Sequence, residues 1–243
     1  MPSESGLTGP TEPSRVRFMT DNRLSGLALI VGSVGVIITM GLHPTGHIAA
    51  VDIQSMIRKL IMVHALGLAC LPVLFLGAWG FCRQLSAQAR LAAIGLVLYA
   101  FALLAVMNAA VADGLIAPSV LRQIVASAGA PSAIDSWRMI QHYNFYANQA
   151  YAQVFVAASS IAIIVWSAAL LRATSRFRGL GIYGCIIGPL ILLALFSGHL
   201  TLDAHGFGVI VLLQSIWFGA AGIFLLRSSE GVTAAHEAIA SLR

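Results

Sequence analysis

Apolar residues along the chain fall into six long runs, and the stretches between them carry most of the charged residues. The runs cover approximately residues 24–42, 60–82, 90–113, 144–171, 179–200 and 207–227. A helix that spans a bilayer needs about 20 mostly apolar residues, and every run is close to or above this length. The sequence therefore predicts an all-α polytopic membrane protein with a bundle of about six transmembrane helices.

The connections between these runs differ greatly in length. Residues 83–90 and 201–206 form short connections, which predict that the helices they join are antiparallel neighbours. Residues 43–59 form a medium loop and residues 114–143 a long external one. Apolar residues recur at helical spacing in the long loop, so we expect it to carry short amphipathic helices at the outer membrane surface; these residues are Val120, Leu121, Ile124 and Val125.

Composition supports a membrane protein and argues against other classes. Hydrophobic residues make up 58% of the 243-residue chain and charged residues 9%, whereas a soluble domain carries about 25% charged residues. The formal charge of +5 does not indicate a nucleic-acid partner, because thirteen of the fourteen basic residues are arginines in short clusters between apolar runs. That distribution is typical of topology signals in a protein whose partner is the lipid bilayer.

The arginine distribution predicts the orientation. With the N-terminus inside, ten basic residues lie on the inner side and four on the outer side, which is a positive-inside bias. The protein is thus expected in the cell (inner) membrane with both termini cytoplasmic. The expected organisation is a disordered cytoplasmic tail over residues 1–22, a six-helix transmembrane domain over 23–228 and a cytoplasmic C-terminal tail over 229–243. The first run exceeds the roughly 7–15 apolar residues of a secretory signal, which favours a retained first helix.

Histidines and aspartates lie predominantly on one side of this topology. Six of the seven histidines fall at or near the outer face, and only His236 falls inside. The aspartates follow the same pattern, with only Asp21 inside. Hydropathy and arginine counts set the topology without these residues, so their shared location is an independent observation. Ionisable groups at membrane depth are costly and are commonly functional.

Three histidines near the first two helices are candidate ligands. His43 and His47 have the spacing of four that puts two ligands on one helical face, although Pro44 and Gly46 disfavour a regular helix there. A pair of interfacial histidines in a turn is the alternative. His64 lies about one turn into the second helix, where it is either a metal or haem ligand or a hydrogen-bond donor to a backbone carbonyl.

Acidic residues complete two candidate groups. Asp113 lies at the C-terminal end of the third helix, where the helix dipole disfavours an acid by roughly 0.3–1 kcal/mol, so a cation is expected beside it. His199, Asp203 and His205 place two imidazoles and a carboxylate within seven residues, as in many metal sites. The alternative for this second group is a solvated turn in which the side chains cap a helix.

The third candidate feature is a concentration of amide and phenol groups near the start of the fourth run. These groups predict a hydrated cavity that opens to the outside, because amides near the membrane midplane need partners. Hydrogen bonding between helices is the alternative. The candidate cavity residues are Asn108, Asn144, Tyr146, Asn148, Gln149, Tyr151 and Gln153.

Together these residues favour an outward-facing site for redox or hydrolytic chemistry. The cofactor is expected to be a transition metal ion (zinc, copper or iron) or a haem. The candidate metal ligands are His43, His47, Asp113, His199, Asp203 and His205, and the candidate haem ligands are His64, His142 and His199. The chain has no HExxH, Walker or GxSxG motif, so the sequence leaves open whether the protein is an enzyme.

Two other functions remain open from sequence. The protein could be a transporter or receptor for a small polar solute, or a proton-coupled one, with an external small-molecule substrate in the cavity. It could also be a non-catalytic accessory subunit of a membrane complex, or act as a homo-oligomer.

Overall fold

The chain folds into seven α-helices in the computed structural model, which describes residues 12–44, 53–173, 177–198 and 202–240, with side chains from 21 to 228. The helices are α1 (Glu12–Leu42), α2 (Ile53–Gln84), α3 (Ala89–Val111), α4 (Ala117–Ala126), α5 (Pro131–Ala173), α6 (Arg178–Phe196) and α7 (Ala204–Ala240). A 3₁₀ turn at Ser86–Gln88 joins α2 to α3, and a π-helical turn at Ala112–Ile116 joins α3 to α4. The described residues contain no strand.

Six segments are long and apolar enough to cross a membrane. They are Asp21–Leu42, Ile53–Gln84, Ser86–Ala126, Pro131–Ala173, Arg178–Phe196 and Ala204–Ser228. Large apolar side chains lie exposed around the bundle, among them Val97 (70% exposed) and Leu190 (58%); such a surface suits lipid contact and would be unfavourable in water. The predicted all-α polytopic bundle is therefore confirmed, and the protein is a membrane protein.

The two ends of the bundle differ in chemistry. We call the end at which α1 ends and α2 begins the histidine end, because His43 and His64 lie there. The opposite end is the arginine end, where Arg83 donates to Asp21 over 2.9 Å. The sequence predicts that the histidine end is external.

Aromatic side chains fill the half of the bundle nearer the arginine end. The indoles of Trp166 in α5 and Trp217 in α7 are stacked with ring centroids 5.8 Å apart, and Phe81 of α2 meets both edge-on. Trp166 donates its Nε1–H to the Ala92 carbonyl over 3.1 Å, and Trp217 donates to Ser167 Oγ over 3.1 Å. These bonds satisfy the only polar atoms of the two indoles. The ring contacts and hydrogen bonds together join α2, α3, α5 and α7 in one well-packed core.

The predicted long loop over residues 114–143 is largely helical. Its first part is the π turn and α4, a short amphipathic helix that packs on α5, and its last part is the beginning of α5. Pro118 and Pro131 lie in the first turns of α4 and α5, where a missing N–H is tolerated. A turn at residues 127–130 reverses the chain, so the loop is a helical hairpin.

The helices at both termini are longer than the predicted spans. Residues 12–22 belong to α1, where the sequence predicts a disordered tail, and α7 continues to Ala240. Pro13 lies in the first turn of α1, a position that accepts proline. The division of the chain into cytoplasmic tails and a transmembrane domain stays a prediction.

Candidate metal site at the histidine end

Three residues from separate helical segments meet at the histidine end and form what we call the His–Asp cluster: His43, His64 and Asp113. His43 follows the last turn of α1, His64 lies in α2 and Asp113 lies in the π turn. Asp113 Oδ2 is 3.2 Å from Nε2 of His64 and 3.4 Å from Nε2 of His43. One ligand atom from each residue can be chosen so that all three lie within 4.8 Å of one another.

The other nitrogen of His64 defines the protonation of its ring. Nδ1 lies 2.8 Å from the carbonyl oxygen of Leu60, and because a carbonyl only accepts, Nδ1 must carry the hydrogen. In a neutral imidazole, Nε2 then presents a lone pair to the Asp113 carboxylate, and the two would repel. A positive species, either a proton or a metal ion, is therefore required between His64 and Asp113.

His43 adds a second incomplete interaction. Its Nδ1 is buried and has no hydrogen-bond partner among the described residues, while its Nε2 faces the same carboxylate oxygen as His64 does. The two imidazole rings meet edge to face with centroids 5.3 Å apart. Two imidazoles directed at one carboxylate oxygen form a compact set of donor atoms rather than two independent ion pairs.

The π turn positions Asp113. The Ala117 N–H bonds back to the Ala112 carbonyl, which is the wider i→i+5 spacing of a π-helix, a feature often found at functional sites. Asn144 of α5 also donates its Nδ2–H to this carbonyl over 2.9 Å. The buried amide of Asn144 therefore ties α5 to the turn that carries Asp113.

Glycine at position 114 permits the close approach of the π turn to α2. A Cβ at this position would lie 2.2 Å from His64 Cβ and 2.6 Å from His64 Cγ. Rotation of the His64 side chain does not move the Cβ of His64, so it cannot relieve this contact. Any residue larger than glycine at position 114 must therefore push α2 and the π turn apart. The pairing of Asp113 with His64 depends on this missing side chain.

The two distances from Asp113 suit ligands of one metal ion. Ligand atoms about 2.1 Å from a metal are about 3.0 Å apart at an angle of 90° and about 3.4 Å apart at 109°. The distances of 3.2 and 3.4 Å from Asp113 Oδ2 to the two imidazoles fall in this range. The carbonyl of Leu60 behind His64 resembles the acceptors that orient metal-bound histidines.

A cavity of about 400 Å³ begins at the His–Asp cluster and extends into the bundle. Its walls are mainly apolar, with Leu71, Leu103 and Phe207 among the lining residues. Near the cluster it is also lined by Asn148 and Gln149 of α5. The cavity beside the two imidazoles is therefore large and apolar enough to hold a small organic molecule.

Deep in the cavity the lining includes three polar residues that we call the polar floor: Ser33, Gln214 and Ser215. They are 3%, 3% and 5% exposed. Gln214 donates to Ser159 Oγ and Ser160 Oγ over 2.9 and 3.2 Å, whereas Ser33 Oγ has no partner among the described residues. Sequence reasoning missed the floor, although an amide inside the apolar run 207–227 is a detectable feature.

The structure does not bring every candidate ligand to the cluster. His142 and His205 are exposed and are not part of this group. Asp203 Oδ1 accepts the backbone N–H groups of His205 and Gly206 over 3.0 and 2.8 Å, so Asp203 caps the N-terminus of α7. Asp203 thus has the capping role that the sequence offered as the alternative to a metal ligand. His47 and His199 lie outside the described residues.

The predicted polar cavity residues divide into two sets. Asn148 and Gln149 line the cavity, and Gln149 also donates to the Leu202 carbonyl over 3.3 Å. Asn144 is buried behind the cluster. Four residues are exposed and do not line the cavity, contrary to the expectation from their spacing: Asn108, Tyr146, Tyr151 and Gln153.

Comparison with known proteins gives no functional guide. No protein-family model, curated protein or solved structure matches the chain. The residues of the His–Asp cluster and the cavity beside it must therefore support any functional proposal.

Proposed function

We propose that the protein is a membrane metalloprotein that binds one divalent transition-metal ion through His43, His64 and Asp113. The metal serves redox or hydrolytic chemistry on a molecule held in the adjoining cavity. The observation that carries the proposal is the contact of 3.2 Å between His64 Nε2 and Asp113 Oδ2, made while Nδ1 of the same ring is committed to Leu60. A metal ion supplies the positive charge that this contact requires.

The chemistry of the donor atoms narrows the choice of metal. Two imidazole nitrogens and one carboxylate oxygen suit zinc and non-haem iron(II), and imidazole also accepts copper. Three protein ligands leave at least one coordination position open, which distinguishes catalytic metal sites from closed structural ones. Since the cavity begins at the cluster, we expect the open position to be accessible from it.

An ion fits the cluster better than a haem does. Both imidazoles are directed at the Asp113 carboxylate and lie within 3.4 Å of it, a separation that cannot contain a porphyrin. Of the two haem ligands that the sequence offers as partners of His64, His142 is exposed and His199 lies outside the described residues. The support for haem is correspondingly weaker, and the ion is the cofactor that we propose.

A mostly apolar cavity would increase the effect of the metal. Electrostatic interactions strengthen where water is excluded, so a bound metal would polarise a carbonyl or lower the pKa of a bound water more effectively there. Asn148 and Gln149, which line the cavity, offer hydrogen bonds to a substrate.

Metal binding to purified protein tests this proposal. The protein would carry a purification tag without histidine, be stripped with a chelator and be titrated with Zn²⁺ and with Fe²⁺ under anaerobic conditions. We expect one ion per chain. His64→Ala and Asp113→Ala should each weaken binding at least about 100-fold, since each removes a ligand whose outer-shell support alone is worth about 10–100-fold. The matched controls His142→Ala and His205→Ala should bind like the unaltered protein.

A proton between His64 and Asp113 is the alternative to the metal, because it also satisfies the contact. This second candidate function is proton-coupled transport of a solute through the cavity, favoured by the position of the ion pair at the cavity mouth. If stripped protein binds neither metal stoichiometrically, and vesicles containing it acidify in response to a solute only when Asp113 is intact, the metal proposal is wrong.

A further inference from the structure

The depth and volume of the cavity limit what can occupy it. His64 at the mouth and Leu74 at depth lie ten residues apart in α2 and both line the cavity, a distance of about 15 Å at about 1.5 Å per residue. A volume of about 400 Å³ that extends over about 15 Å suits a molecule with one extended chain.

The polar floor lies at matching depth in the cavity. Gln214 lies ten residues below Ala204 in α7, again about 15 Å, and Ser33 of α1 also lines the cavity. The hydroxyl of Ser33 is 3% exposed and has no partner in the described part of the chain. An unpaired buried hydroxyl is unfavourable, and a hydrogen-bonding group on a ligand would satisfy it.

The floor also excludes charged ligands. None of the residues that line the cavity at this depth or deeper, whose polar members are Ser33, Tyr99, Gln214 and Ser215, carries a charge. A phosphate or carboxylate this deep in the membrane would lack a counter-charge and would be strongly destabilised. The complementary group is therefore a neutral oxygen function, such as a hydroxyl or a carbonyl.

We infer that the cavity binds an uncharged, single-chain lipid-like molecule whose hydroxyl or carbonyl group bonds to Ser33 at the floor and whose other end reaches the His–Asp cluster. Carbon–carbon bonds of about 1.5 Å give a zigzag rise of about 1.25 Å per carbon, so about twelve carbons span the cavity. The inference rests on the proposed function only in naming this molecule as the one that the metal acts on, because binding itself requires no metal.

Photolabelling of metal-free protein in lipid nanodiscs tests the inference. The probe is 1-dodecanol carrying a diazirine, and the labelled residues are mapped by mass spectrometry. We expect saturable labelling of cavity residues such as Leu71 and Leu103, with competition by unlabelled 1-dodecanol and weaker competition by 1-octanol. A hydrocarbon probe of equal length without the hydroxyl should label these residues several-fold less.

Two comparisons between variants or probes show whether the labelling comes from the cavity. Ala152 lines the cavity and Ala150 is exposed two residues away, so Ala152→Leu should reduce labelling several-fold while Ala150→Leu should not. Ser33→Ala should lower labelling by the alcohol to the level of the hydrocarbon probe. Labelling that does not saturate, or that responds equally to the two leucine variants, would overturn the inference.

The metal proposal and the lipid inference fail in different ways. Ser33→Ala should reduce labelling by dodecanol under the second and leave metal binding intact under the first, because Ser33 lies ten residues before His43, about 15 Å along α1. Normal labelling without metal binding would contradict the metal proposal and support the lipid inference. Metal binding without saturable labelling would support the metal proposal and contradict the lipid inference.

Discussion

Asn144 donates a hydrogen bond to the carbonyl of Ala112 over 2.9 Å, and this contact joins the longest helix to the π turn that carries Asp113. Asn144 is 7% exposed and lies behind the His–Asp cluster, not in it. Its role in the structure is therefore to fix the position of a carboxylate that it does not touch.

Asn144→Ala should weaken metal binding without removing a ligand. The change eliminates one hydrogen bond, worth about 0.5–1.5 kcal/mol, and frees the π turn, so we expect affinity to fall by about tenfold, as for other groups that orient metal ligands. Asn108→Ala is the control, because Asn108 is exposed and its side chain bonds within its own helix, to the Leu104 carbonyl. Equal affinities for the two variants would show that the Asn144 contact does not position Asp113.

Gly114→Ala should disrupt the cluster by steric conflict alone. The new Cβ would lie 2.2 Å from that of His64, so α2 and the π turn must separate and the distance between His64 and Asp113 must increase. We expect metal affinity to fall at least tenfold while the protein stays helical by circular dichroism. Gly41→Ala, at the same end of the bundle but with open space around it, should bind metal normally.

Bound metal should stabilise the bundle against unfolding. The ligands come from α1, α2 and the π turn, so binding is possible only when these segments are assembled. An ion present at 100 times its Kd adds about 2.7 kcal/mol to the free energy of unfolding. We expect chelation to lower the midpoint of thermal unfolding, and acidification to remove the metal-dependent part, since imidazole must be unprotonated to bind. In Asp113→Ala the chelator should cause no shift.

Asp203 should contribute to helix stability and not to metal affinity. Its carboxylate accepts two backbone N–H groups at the start of α7, and loss of such a cap costs about 0.5–2 kcal/mol. Asp203→Ala should lower stability by that amount with unchanged metal binding, and Asp203→Ser should restore most of the loss. A decrease in metal affinity in both variants would contradict this prediction and indicate that Asp203 is a metal ligand.

The orientation predicted from arginine counts needs its own measurement. Each of the residues Ala128 and Gly129, in the exposed turn between α4 and α5, can be replaced by cysteine and labelled in intact cells with a reagent that does not cross membranes. We expect labelling from outside, because this turn lies on the side with few arginines. Labelling only after the membrane is opened would place the cluster on the cytoplasmic side.

Much of the fold could be predicted from the sequence because lipid imposes a simple requirement on it. Each span must be about 20 apolar residues and must satisfy its own backbone, so hydropathy identifies the spans. The spacing of apolar residues also predicted a short amphipathic helix within residues 114–143, which α4 confirms. It could not show that this helix forms a hairpin with the beginning of α5, because that arrangement depends on packing against a neighbour. Pro118 and Pro131 lie in the first turns of α4 and α5, where proline is tolerated.

The sequence could not show which candidate ligands meet, because their meeting depends on tertiary contacts. His43, His64 and Asp113 were all candidates from sequence, but their convergence depends on Gly114, whose lack of a side chain admits α2. Spacing favoured Asp203 with its neighbouring histidines, yet the local backbone amides at the start of α7 use its carboxylate instead. Proximity along the chain could not distinguish a cap from a ligand.

The three residues of the cluster all lie in the first half of the chain, whereas the floor of the cavity includes residues of α7, the last helix. A ribosome therefore delivers His43, His64 and Asp113 to the membrane about a hundred residues before Gln214. The ion-binding groups can meet while the nascent bundle is still open on one side. Only completion of the final helix then encloses the chamber in which a substrate would be held.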